Sequence, residues 1–545
     1  MGVQHLWDVI GTSEKRFSLE EIANDRFHRK TNRGLRMAID VAVWTFQVRS
    51  GQGGSHPDLR TMFYRCCRLY ELGIRPVFVF DGPNRPEFKR DKIVQAGLVS
   101  QLQLELMAMF KHFNFGTWQA HGEAEAECAV LQRLDYVDIV LTADVDVFLF
   151  GAKRVIRQWP SHQNELLACY DHTWLTECTG LDRSDLIMMA LLRGSDYNTR
   201  GVRGIGITLA EGLVRTKYHT ELMDRLQTTE GSVDEAQLQD LYDAFMYEIN
   251  TGRSGYLKRR YGSIELHATS HDVTILKDWV HPVTNIAKPS CKGLARELLE
   301  LLNRDHTPDL SSLAAFSQRY FEWPKAIVLA KFANLIYPGY MSQKLRTQVL
   351  LVNDYHSNRN HLQNTTSKPF SSHKQRYMND YFQTRKPSHI EKRRSNPEPD
   401  DQAKVDMIRI TQEKVVRGTK LYRVEWTTGS LQEFLDKVSA KLHNTQSTVD
   451  FSEDEEQEWH SSQHTEQGNI YNPSNKIYRQ WVDAQQVNAT YPPIVRAYEC
   501  KKPQKPRSNT DSPQGQACIT DFLILPPRRQ SNRILRSDIL EDPFN

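Results

Sequence analysis

The feature that most limits the fold of this chain is a set of short apolar segments that run into aspartate. Three such segments, rich in β-branched and aromatic residues, cover residues 36–40, 76–81 and 137–142. Three amphipathic helical patterns lie between them, over residues 59–72, 95–113 and 123–134. Strands that alternate with helices predict an α/β fold, with a mainly parallel, twisted sheet flanked by helices.

The acidic residues at the ends of these strands are predicted to meet at one edge of the sheet. Asp40 closes the first segment, Asp81 closes the second, and Asp144 and Asp146 follow the third in the sequence TADVDVFLFG. Ligands of open parallel sheets bind at the carboxyl ends of the strands. We therefore expect a shared acidic site at this edge.

Two further segments add carboxylates to the same predicted site. The sequence GEAEAE opens a helix and places Glu123 and Glu125 near its first turn. The sequence GSDY follows an apolar helix and supplies Asp196. Taken alone, each segment has a simpler explanation as a turn, a helix cap or an acid that complements the helix dipole. The hypothesis therefore depends on their joint occurrence.

Seven carboxylates at one edge would repel one another strongly unless cations were bound between them. The set contains oxygen ligands and no His or Cys, which favours Mg²⁺, with Mn²⁺ as an alternative. Two such ions, roughly 3.5–4 Å apart, suit in-line hydrolysis of a phosphodiester. The sequence thus predicts two divalent ions in one site.

The order of these segments resembles that of the flap-endonuclease superfamily. The opening Met-Gly-Val-x-x-Leu-Trp is followed by AID, VFVFDG, GEAEAE, TADVDVFLFG and GSDY, all within residues 1–215. The resemblance implies a PIN-like nuclease core that cuts DNA by its structure rather than its sequence. The residues that it implies as catalytic metal ligands, direct or through water, are Asp40, Asp81, Glu123, Glu125, Asp144, Asp146 and Asp196.

The same resemblance implies DNA-binding elements outside the acidic site. Gly204-Ile205-Gly206 has the form of a helix-two-turn-helix hairpin, which grips duplex DNA and in the family often holds K⁺. A Lys and an Arg beyond Asp81 reach the scissile phosphate in the family. The candidates for that role are Lys89, Arg90 and Lys92, and the other predicted DNA contacts are Gly2, Gly204, Gly206, Lys258, Arg259 and Arg260. A solvated basic face remains the alternative for both basic clusters.

Two features favour the eukaryotic Holliday-junction resolvases within the superfamily. Residues 88–115 predict one long helix and no additional helical cap through which a free 5′ end would thread. Residues 403–500 resemble a chromodomain. Trp426 matches a position of the methyl-lysine cage, but Gly429 stands where a second aromatic residue is expected. We therefore favour a sheet-core role for Trp426, and for Tyr422, over histone reading.

The predicted organisation divides the chain into a nuclease core and a separate C-terminal module. The core covers residues 1–345, with an N-terminal region (1–98), an internal region (115–200) and a helix-two-turn-helix with a helical arch (200–345). A disordered linker (346–402), the chromodomain-like module (403–500) and a disordered basic tail (501–545) follow.

The partners predicted from the sequence are branched DNA, a second copy of the chain on a four-way junction, and a sliding clamp. The clamp-binding candidates in QRYMNDYF are Gln375, Met378, Tyr381 and Phe382. Basic runs in the linker and the tail favour a nuclear protein. No stretch of roughly 18 apolar residues predicts a membrane span.

The function predicted is a Mg²⁺-dependent endonuclease that resolves four-way junctions by two symmetric cuts and also cuts 5′ flaps and forks. Two alternatives remain open at this point. One is a flap-endonuclease-type 5′ nuclease, and the other is a chromatin-binding module whose nuclease core is inactive.

Overall fold

A computed structural model describes most of the chain up to residue 349 and two shorter regions beyond it. The described residues are 2–28, 33–48, 56–85, 88–89, 92–93, 100–160, 165–198, 201–228, 233–262, 264–285, 292–304, 306–349, 407–416, 418–443 and 478–501. They form two compact units: one holds the residues up to Gly339 with residues 435–443, and the other holds residues 340–434 with residues 478–501. Among these residues no helix is both long and apolar enough to cross a bilayer.

A seven-stranded sheet organises the first unit. Its strands are β1 (Lys15–Phe17), β2 (Arg36–Asp40), β3 (Arg75–Phe80), β6 (Gly116–Gln119), β7 (Ile139–Leu141), β8 (Arg154–Ile156) and β9 (Leu167–Asp171). Their order is β1-β9-β8-β7-β2-β3-β6. The pairs from β8 through β6 are parallel, whereas β9 pairs antiparallel with both β8 and β1. The predicted α/β fold with a mainly parallel sheet is confirmed.

Helices surround the sheet and continue beyond it. The helices of the first unit are α1 (Leu6–Ile10), α2 (Leu19–His28), α3 (Val41–Val48), α4 (Pro57–Glu71), α5 (Gln101–His112), α6 (Ala124–Arg133), α7 (His172–Thr179), α8 (Arg183–Arg193), α9 (Ile207–Val214), α10 (Thr220–Gln227), α11 (Glu235–Thr251), α12 (Ser270–Val280), α13 (Lys292–Asn303), α14 (Leu310–Tyr320) and α15 (Lys325–Leu335). Single 3₁₀ turns lie at Gly11–Ser13 and Val145–Phe148.

The middle of the sheet is buried on both faces, which explains why its strands read as continuous apolar runs. All five residues of β2 are buried. Phe78 of β3 stacks on Phe110 of α5, with ring centroids 3.6 Å apart. Trp44 of α3 packs against Phe78 from the same side. This packing leaves only the strand ends open to polar side chains.

The segment between Asp81 and Glu123 differs from the sequence prediction. A single long helix was expected from residue 88, but α5 begins only at Gln101. Ser100 caps it: its hydroxyl accepts from the Gln103 amide while the Gln103 side chain accepts from the Ser100 amide. Ahead of it, β4 (Phe88–Lys89) and β5 (Lys92–Ile93) pair as a short antiparallel hairpin. Amphipathic periodicity alone could not reveal the capping box.

A helical hairpin follows the sheet, as the sequence predicted. Helices α8 and α9 pack against each other, and the turn between them contains Gly204, whose φ of 90° lies in the left-handed region that glycine tolerates. Gly206 is the N-cap of α9. The Gly204–Gly206 turn therefore stands at the N-terminus of a helix, the end of a helix that attracts anions.

The second unit contains a three-stranded antiparallel sheet. Its strands are β10 (Met407–Val416), β11 (Thr419–Trp426) and β12 (Tyr478–Asp483), in that order. Tyr422 and Trp426 have no exposed surface. The sheet-core role predicted for them is confirmed; the resemblance of this unit to a chromodomain remains a prediction.

The helices of this region depart from the prediction of one closing helix over residues 481–499. Residues 481–483 belong to β12, and two helices follow, α17 (Ala484–Thr490) and α18 (Pro492–Glu499). Pro492 and Pro493 start the second helix because proline fits the first helical turn but breaks a helix interior. A further helix, α16 (Thr428–Ser439), was not foreseen as a separate element.

Candidate active site

Asp40 and Asp81 lie at the carboxyl ends of the neighbouring parallel strands β2 and β3, as predicted. Asp40 is the last residue of β2, which runs between β7 and β3. Its Oδ1 accepts the backbone N–H of Ala42 at 2.9 Å and so fixes the start of α3. The Oδ1 atom of Asp81, just after β3, accepts the backbone N–H of Ala124 at 3.0 Å. This bond brings the end of β3 to the first residue of α6.

The pKa of Asp40 shows that these carboxylates interact. It is raised from 3.8 to about 8, first by burial and then by the negative charges of Asp81 and Glu125. Hydrogen bonds from the amides of Val43 and Ala42 act in the opposite direction and are outweighed. Three acids from three distant chain segments therefore share one environment.

Glu123 and Glu125 extend this environment toward the segment that carries Asp196. Both are buried at the start of α6, where Glu123 is the N-cap. The hydroxyl of Tyr197 donates to Oε2 of Glu123. The pKa of Tyr197 is raised well above its usual range by burial and then by the charges of Glu123, Glu125 and Asp146. The phenol therefore keeps its proton and lies among carboxylates of three segments.

The segment with Asp144 and Asp146 is held against the N-terminus of the chain. The Oδ1 atom of Asp146 accepts the backbone N–H of Val3 at 2.9 Å, and the indole N–H of Trp7 donates to the carbonyl oxygen of Ala143 at 3.2 Å. Gly2 has a φ of +82°, and a Cβ there would overlap the carboxylate oxygens of both aspartates. The predicted DNA-binding Gly2 thus lies directly beside the acidic residues.

Asp196 follows α8 in a turn that glycine and serine shape. Gly194 has a φ of +95°, and the Ser195 amide donates to the carbonyl oxygen of Asn198 at 2.9 Å. The hydroxyl of Ser195 accepts the Tyr197 amide at 3.1 Å. Asp196 is only 6% exposed. Because Tyr197 is its neighbour in sequence, the bond from Tyr197 to Glu123 ties this turn to the start of α6.

The donor chemistry of the seven residues fits hard divalent cations. All seven supply carboxylate oxygen, and six of them are at most 6% exposed, Asp81 being the partly exposed one. Cys128 lies near the cluster, but burial and then the charges of Asp40, Glu127, Glu125 and Asp81 raise its thiol pKa well above 9. A neutral thiol is a poor metal ligand. Within the described residues, no three His, Cys, Asp or Glu side chains lie close enough together to bind one metal ion. The seven-residue metal set therefore remains a prediction.

The basic residue that the structure places at the site is one that the sequence analysis did not single out. Nη1 of Arg85 lies 2.9 Å from Oδ2 of Asp81. Its sequence signal is the spacing of four residues from Asp81 within the basic run that begins at Asn84. Lys89 and Lys92 belong to the β4–β5 hairpin, where only the backbone is described, and Arg90 lies outside the described residues. The predictions for these three stay open.

A second basic group lies on a loop that packs over the helical hairpin. Lys258, Arg259 and Arg260 are exposed, and their role as DNA contacts stays a prediction. The loop is anchored by the fully buried carboxylate of Glu248, which accepts the Ser254 backbone N–H and, at 2.6 Å, its hydroxyl. A Cβ on Gly212 of α9 would meet Leu257 of this loop at 2.7 Å. The basic loop thus lies directly on α9.

Comparisons with known proteins agree with this site. The XPG N-terminal domain matches residues 1–101 and the XPG I-region matches residues 114–196. These two regions contain all seven carboxylates. Residues 1–101 and 114–196 are therefore similar to the two conserved regions of the XPG class of proteins.

Within that class, the chain is similar to the GEN proteins. It is 33% identical to Flap endonuclease GEN-like 1 of Arabidopsis thaliana over 221 residues, which cover 36% of this chain and 37% of the relative. It is 28% identical to Flap endonuclease GEN homolog 1 of Homo sapiens over 248 residues, 41% of this chain and 26% of that one. The matched region thus spans well under half of either relative.

Solved structures show the same fold over most of the chain. A structure of the Holliday junction-resolving enzyme GEN1 with product DNA and Mg²⁺ has a TM-score of 0.63 and 24% identity, covering 91% of this chain and 98% of that one. A eukaryotic junction-resolving enzyme GEN-1 with cesium has a TM-score of 0.65 and 23% identity at the same coverage. The predicted PIN-like nuclease fold is confirmed.

Proposed function

We propose that this protein is a divalent-metal-dependent DNA endonuclease that resolves four-way junctions by two symmetric cuts. The observation that carries the proposal is the shared environment of Asp40, Asp81 and Glu125: burial, and then the charges of the other two acids, raise the pKa of Asp40 to about 8. A cluster of buried acids at the carboxyl ends of parallel strands suits cations rather than an apolar ligand.

The chemistry divides between the metal and the chain. When bound, Mg²⁺ or Mn²⁺ supplies a hydroxide at neutral pH and stabilises the charge of the leaving oxygen. The seven carboxylates would hold and orient the ions, with Asp40 in the centre of the sheet edge. Arg85 would exchange its contact with Asp81 for one with the phosphate, since a guanidinium binds both groups through similar hydrogen bonds.

Duplex DNA would be held away from the acidic site by two elements that pack together. The Gly204–Gly206 turn offers backbone amides at the N-terminus of α9. The loop with Lys258, Arg259 and Arg260 offers three exposed cations beside it. Such contacts position a duplex without reading its sequence, as structure-specific cutting requires. A bound K⁺ at the hairpin belongs to the same proposal and rests on the family resemblance.

A continuous strand suits this site better than a threaded 5′ end. Between Asp81 and Glu123 the described residues form one helix, α5, the strand β6 and the two-residue strands of the β4–β5 hairpin. The described part of this segment thus contains no second helix to complete a cap. Two GEN relatives carry the word flap in their names, and solved GEN1 structures are described with product DNA or Holliday junction DNA. We include 5′ flaps and forks as further substrates of the same site.

Further partners are proposed from the sequence alone. A homodimer on the junction follows from the need for two cuts by two active sites. The clamp-binding segment with Gln375, Met378, Tyr381 and Phe382 lies outside the described residues, as do the basic runs that favour a nuclear location. Binding of purified sliding clamp to the wild-type chain, and its loss after Tyr381→Ala with Phe382→Ala, tests the proposal of clamp binding.

The central test compares an immobile four-way junction with a 5′ flap of the same arm sequence. The full chain with Mg²⁺ should give paired, symmetric nicks whose products ligate again without processing. Asp40→Asn should bind both substrates but cut neither. Asp278→Asn is a control, because Asp278 lies on α12 outside the acidic cluster. Cutting by Asp40→Asn at the wild-type rate would overturn the assignment, and exclusive cutting of the flap by monomers would favour the 5′-nuclease alternative.

A further inference from the structure

Tyr197 stands out among the partly buried side chains that the proposed reaction does not use. It directly follows Asp196, and it is enclosed by the start of α6, the turn after α8 and the helix α12. Its hydroxyl donates to Oε2 of Glu123. Its ring meets Trp279 of α12 edge-on, with centroids 6.0 Å apart and an interplanar angle of 78°. The ring is therefore fixed on one side while its polar end points into the carboxylate cluster.

The anchor of Tyr197 is itself held firmly. Trp279 is fully buried in the hydrophobic core. The guanidinium of Arg183 donates to the carbonyl oxygen of Trp279 at 2.7 Å, and its Nε donates to the carbonyl oxygen of Leu149 at 2.7 Å. Arg183 thereby joins the end of α12 to the turn that follows Asp146. These contacts give the Tyr197 ring little freedom to move away from Glu123.

Glu123 needs an external partner to fix its side chain. As the N-cap of α6 it makes no side-chain bond to the amides of its own helix, although such a bond is what usually fixes an N-cap residue. Oε2 of the Glu123 carboxylate accepts from the phenol, and in the proposed metal site the same carboxylate would bind an ion. Groups that hydrogen-bond to metal ligands in this way fix ligand orientation and tune metal affinity.

We infer that Tyr197 is a positioning residue for the metal site, which holds the Glu123 carboxylate in its ligating orientation and couples it to the turn that carries Asp196. This inference rests on the proposed function, since it assigns Glu123 to the metals. Tyr197 touches neither substrate nor metal in this scheme. Its effect passes through Glu123, so removing the hydroxyl weakens metal binding without changing how the protein holds DNA.

The test is a titration of Mn²⁺ into the DNA-free full chain, followed by electron paramagnetic resonance of the free ion. Tyr197→Phe keeps the ring and its contact with Trp279 and removes only the donor. Its Mn²⁺ affinity should fall about tenfold, the lower end of the range for partners of metal ligands. The Mg²⁺ concentration for half-maximal cutting should rise by the same factor, while metal-free junction affinity stays unchanged. Tyr247→Phe is the matched control, because Tyr247 is 51% exposed on α11.

A second variant separates positioning from a loss of folding. In a Glu123→Gln background the phenol no longer has its carboxylate, so adding Tyr197→Phe should cause no further loss of Mn²⁺ affinity. Equal losses in both backgrounds would overturn the inference, as would an unchanged midpoint in Tyr197→Phe alone. If the wild-type chain binds no Mn²⁺ and cuts no junction, the proposed function fails first. If the wild type binds Mn²⁺ and cuts the junction but Tyr197→Phe leaves the Mn²⁺ affinity unchanged, only the positioning role fails.

Discussion

The backbone N–H of Val3 donates to Oδ1 of Asp146 across 143 positions of the chain, at 2.9 Å. This bond makes the N-terminal segment part of the acidic site. It also explains why residue 2 is glycine, since its φ is +82° and the two aspartate carboxylates occupy the space of a side chain. The N-terminus of the protein therefore contributes to the geometry of the site through its backbone.

Gly2→Ala should reduce junction cutting strongly while leaving junction binding nearly intact. The new Cβ must displace the Asp144 and Asp146 carboxylates, and a shift of about 1 Å in a catalytic group costs on the order of a hundredfold in rate. The single-turnover cutting rate at saturating protein measures this loss. Gly11→Ala is the matched control, since nothing lies within 4 Å of a Cβ there. Equal rates for both variants would show that the N-terminal contact is dispensable.

Metal affinity should rise with pH up to about 8, because Asp40 must lose its proton to bind a cation. Its pKa in the metal-free protein is about 8, against an ordinary value of 3.8. Between these values the folded chain holds a proton that the unfolded chain has lost, so this group makes the metal-free fold less stable as pH rises. Bound metal reverses the penalty, and each proton released gives about a tenfold gain in affinity per pH unit.

Mn²⁺ titrations from pH 6 to pH 8.5 measure this dependence, with thermal unfolding followed in parallel. Asp40→Asn removes the titrating carboxyl group. The Mn²⁺ affinity of this variant should therefore be lower than that of the wild type and should change less with pH. A wild-type affinity that is constant over this range would contradict the shared environment of Asp40, Asp81 and Glu125.

Arg85→Ala should slow cutting about ten- to a hundredfold without weakening metal binding. Arg85 and a metal ion compete for Asp81, since Nη1 lies 2.9 Å from Oδ2. Removing the arginine should therefore leave Mn²⁺ affinity equal or higher, while the developing charge on the phosphate loses a donor. Arg296→Ala is the control, because Arg296 lies exposed on α13 beside Glu300. Weaker Mn²⁺ binding in Arg85→Ala would show that the arginine supports the site rather than competing in it.

The basic loop should govern the salt dependence of binding. Replacing Lys258, Arg259 and Arg260 by alanine removes up to three phosphate contacts, so the slope of log affinity against log salt should fall by about 2–3. Cutting at saturating protein should change little, since the loop lies on α9 rather than at the carboxylates. Arg225→Ala, on the exposed face of α10 beside Glu221, is the control. An unchanged slope in the triple variant would favour the solvated basic face.

The sequence was sufficient for the parts of the site that depend on strand ends. Asp40, Asp81 and Asp146 could be assigned because apolar β-branched runs predict buried parallel strands, and polar residues that follow them gather at one edge. Tyr197 and Arg85 could not be assigned in the same way. Their roles depend on contacts with Glu123 and Asp81 that join distant or irregular segments, and no periodicity marks such contacts.

The missed strands β8 and β9, which lie between β7 and β1 in the sheet, show the same limit. β8 and β9 are short, and β9 reverses direction against β8, so neither follows the alternation of strand and helix that predicted the centre. The hairpin before α5 was read as helix because its residues continue an amphipathic pattern. The reciprocal hydrogen bonds of Ser100 and Gln103 cap the helix at its observed start. The observed start of α5 coincides with these capping contacts and not with the start of the amphipathic pattern.

Trp426 should act as a structural residue of the second unit rather than as a ligand-binding one. It has no exposed surface at the end of β11, so no methylated ammonium group can reach its ring face as a cation–π contact requires. Trp426→Ala should lower the free energy of unfolding of that unit by about 3–5 kcal/mol, the usual cost of deleting a large buried side chain. Trp481→Ala is the control, because its ring is only partly buried and carries Lys414 Nζ 4.4 Å from its centroid. Limited proteolysis of the full chain should therefore cut within residues 407–501 faster in Trp426→Ala than in the control.

The same burial predicts that Trp426 does not bind methylated lysine. A trimethyl-lysine peptide should leave the tryptophan fluorescence of the wild type unchanged. Saturable quenching that Trp426→Ala abolishes would restore the histone-reading alternative.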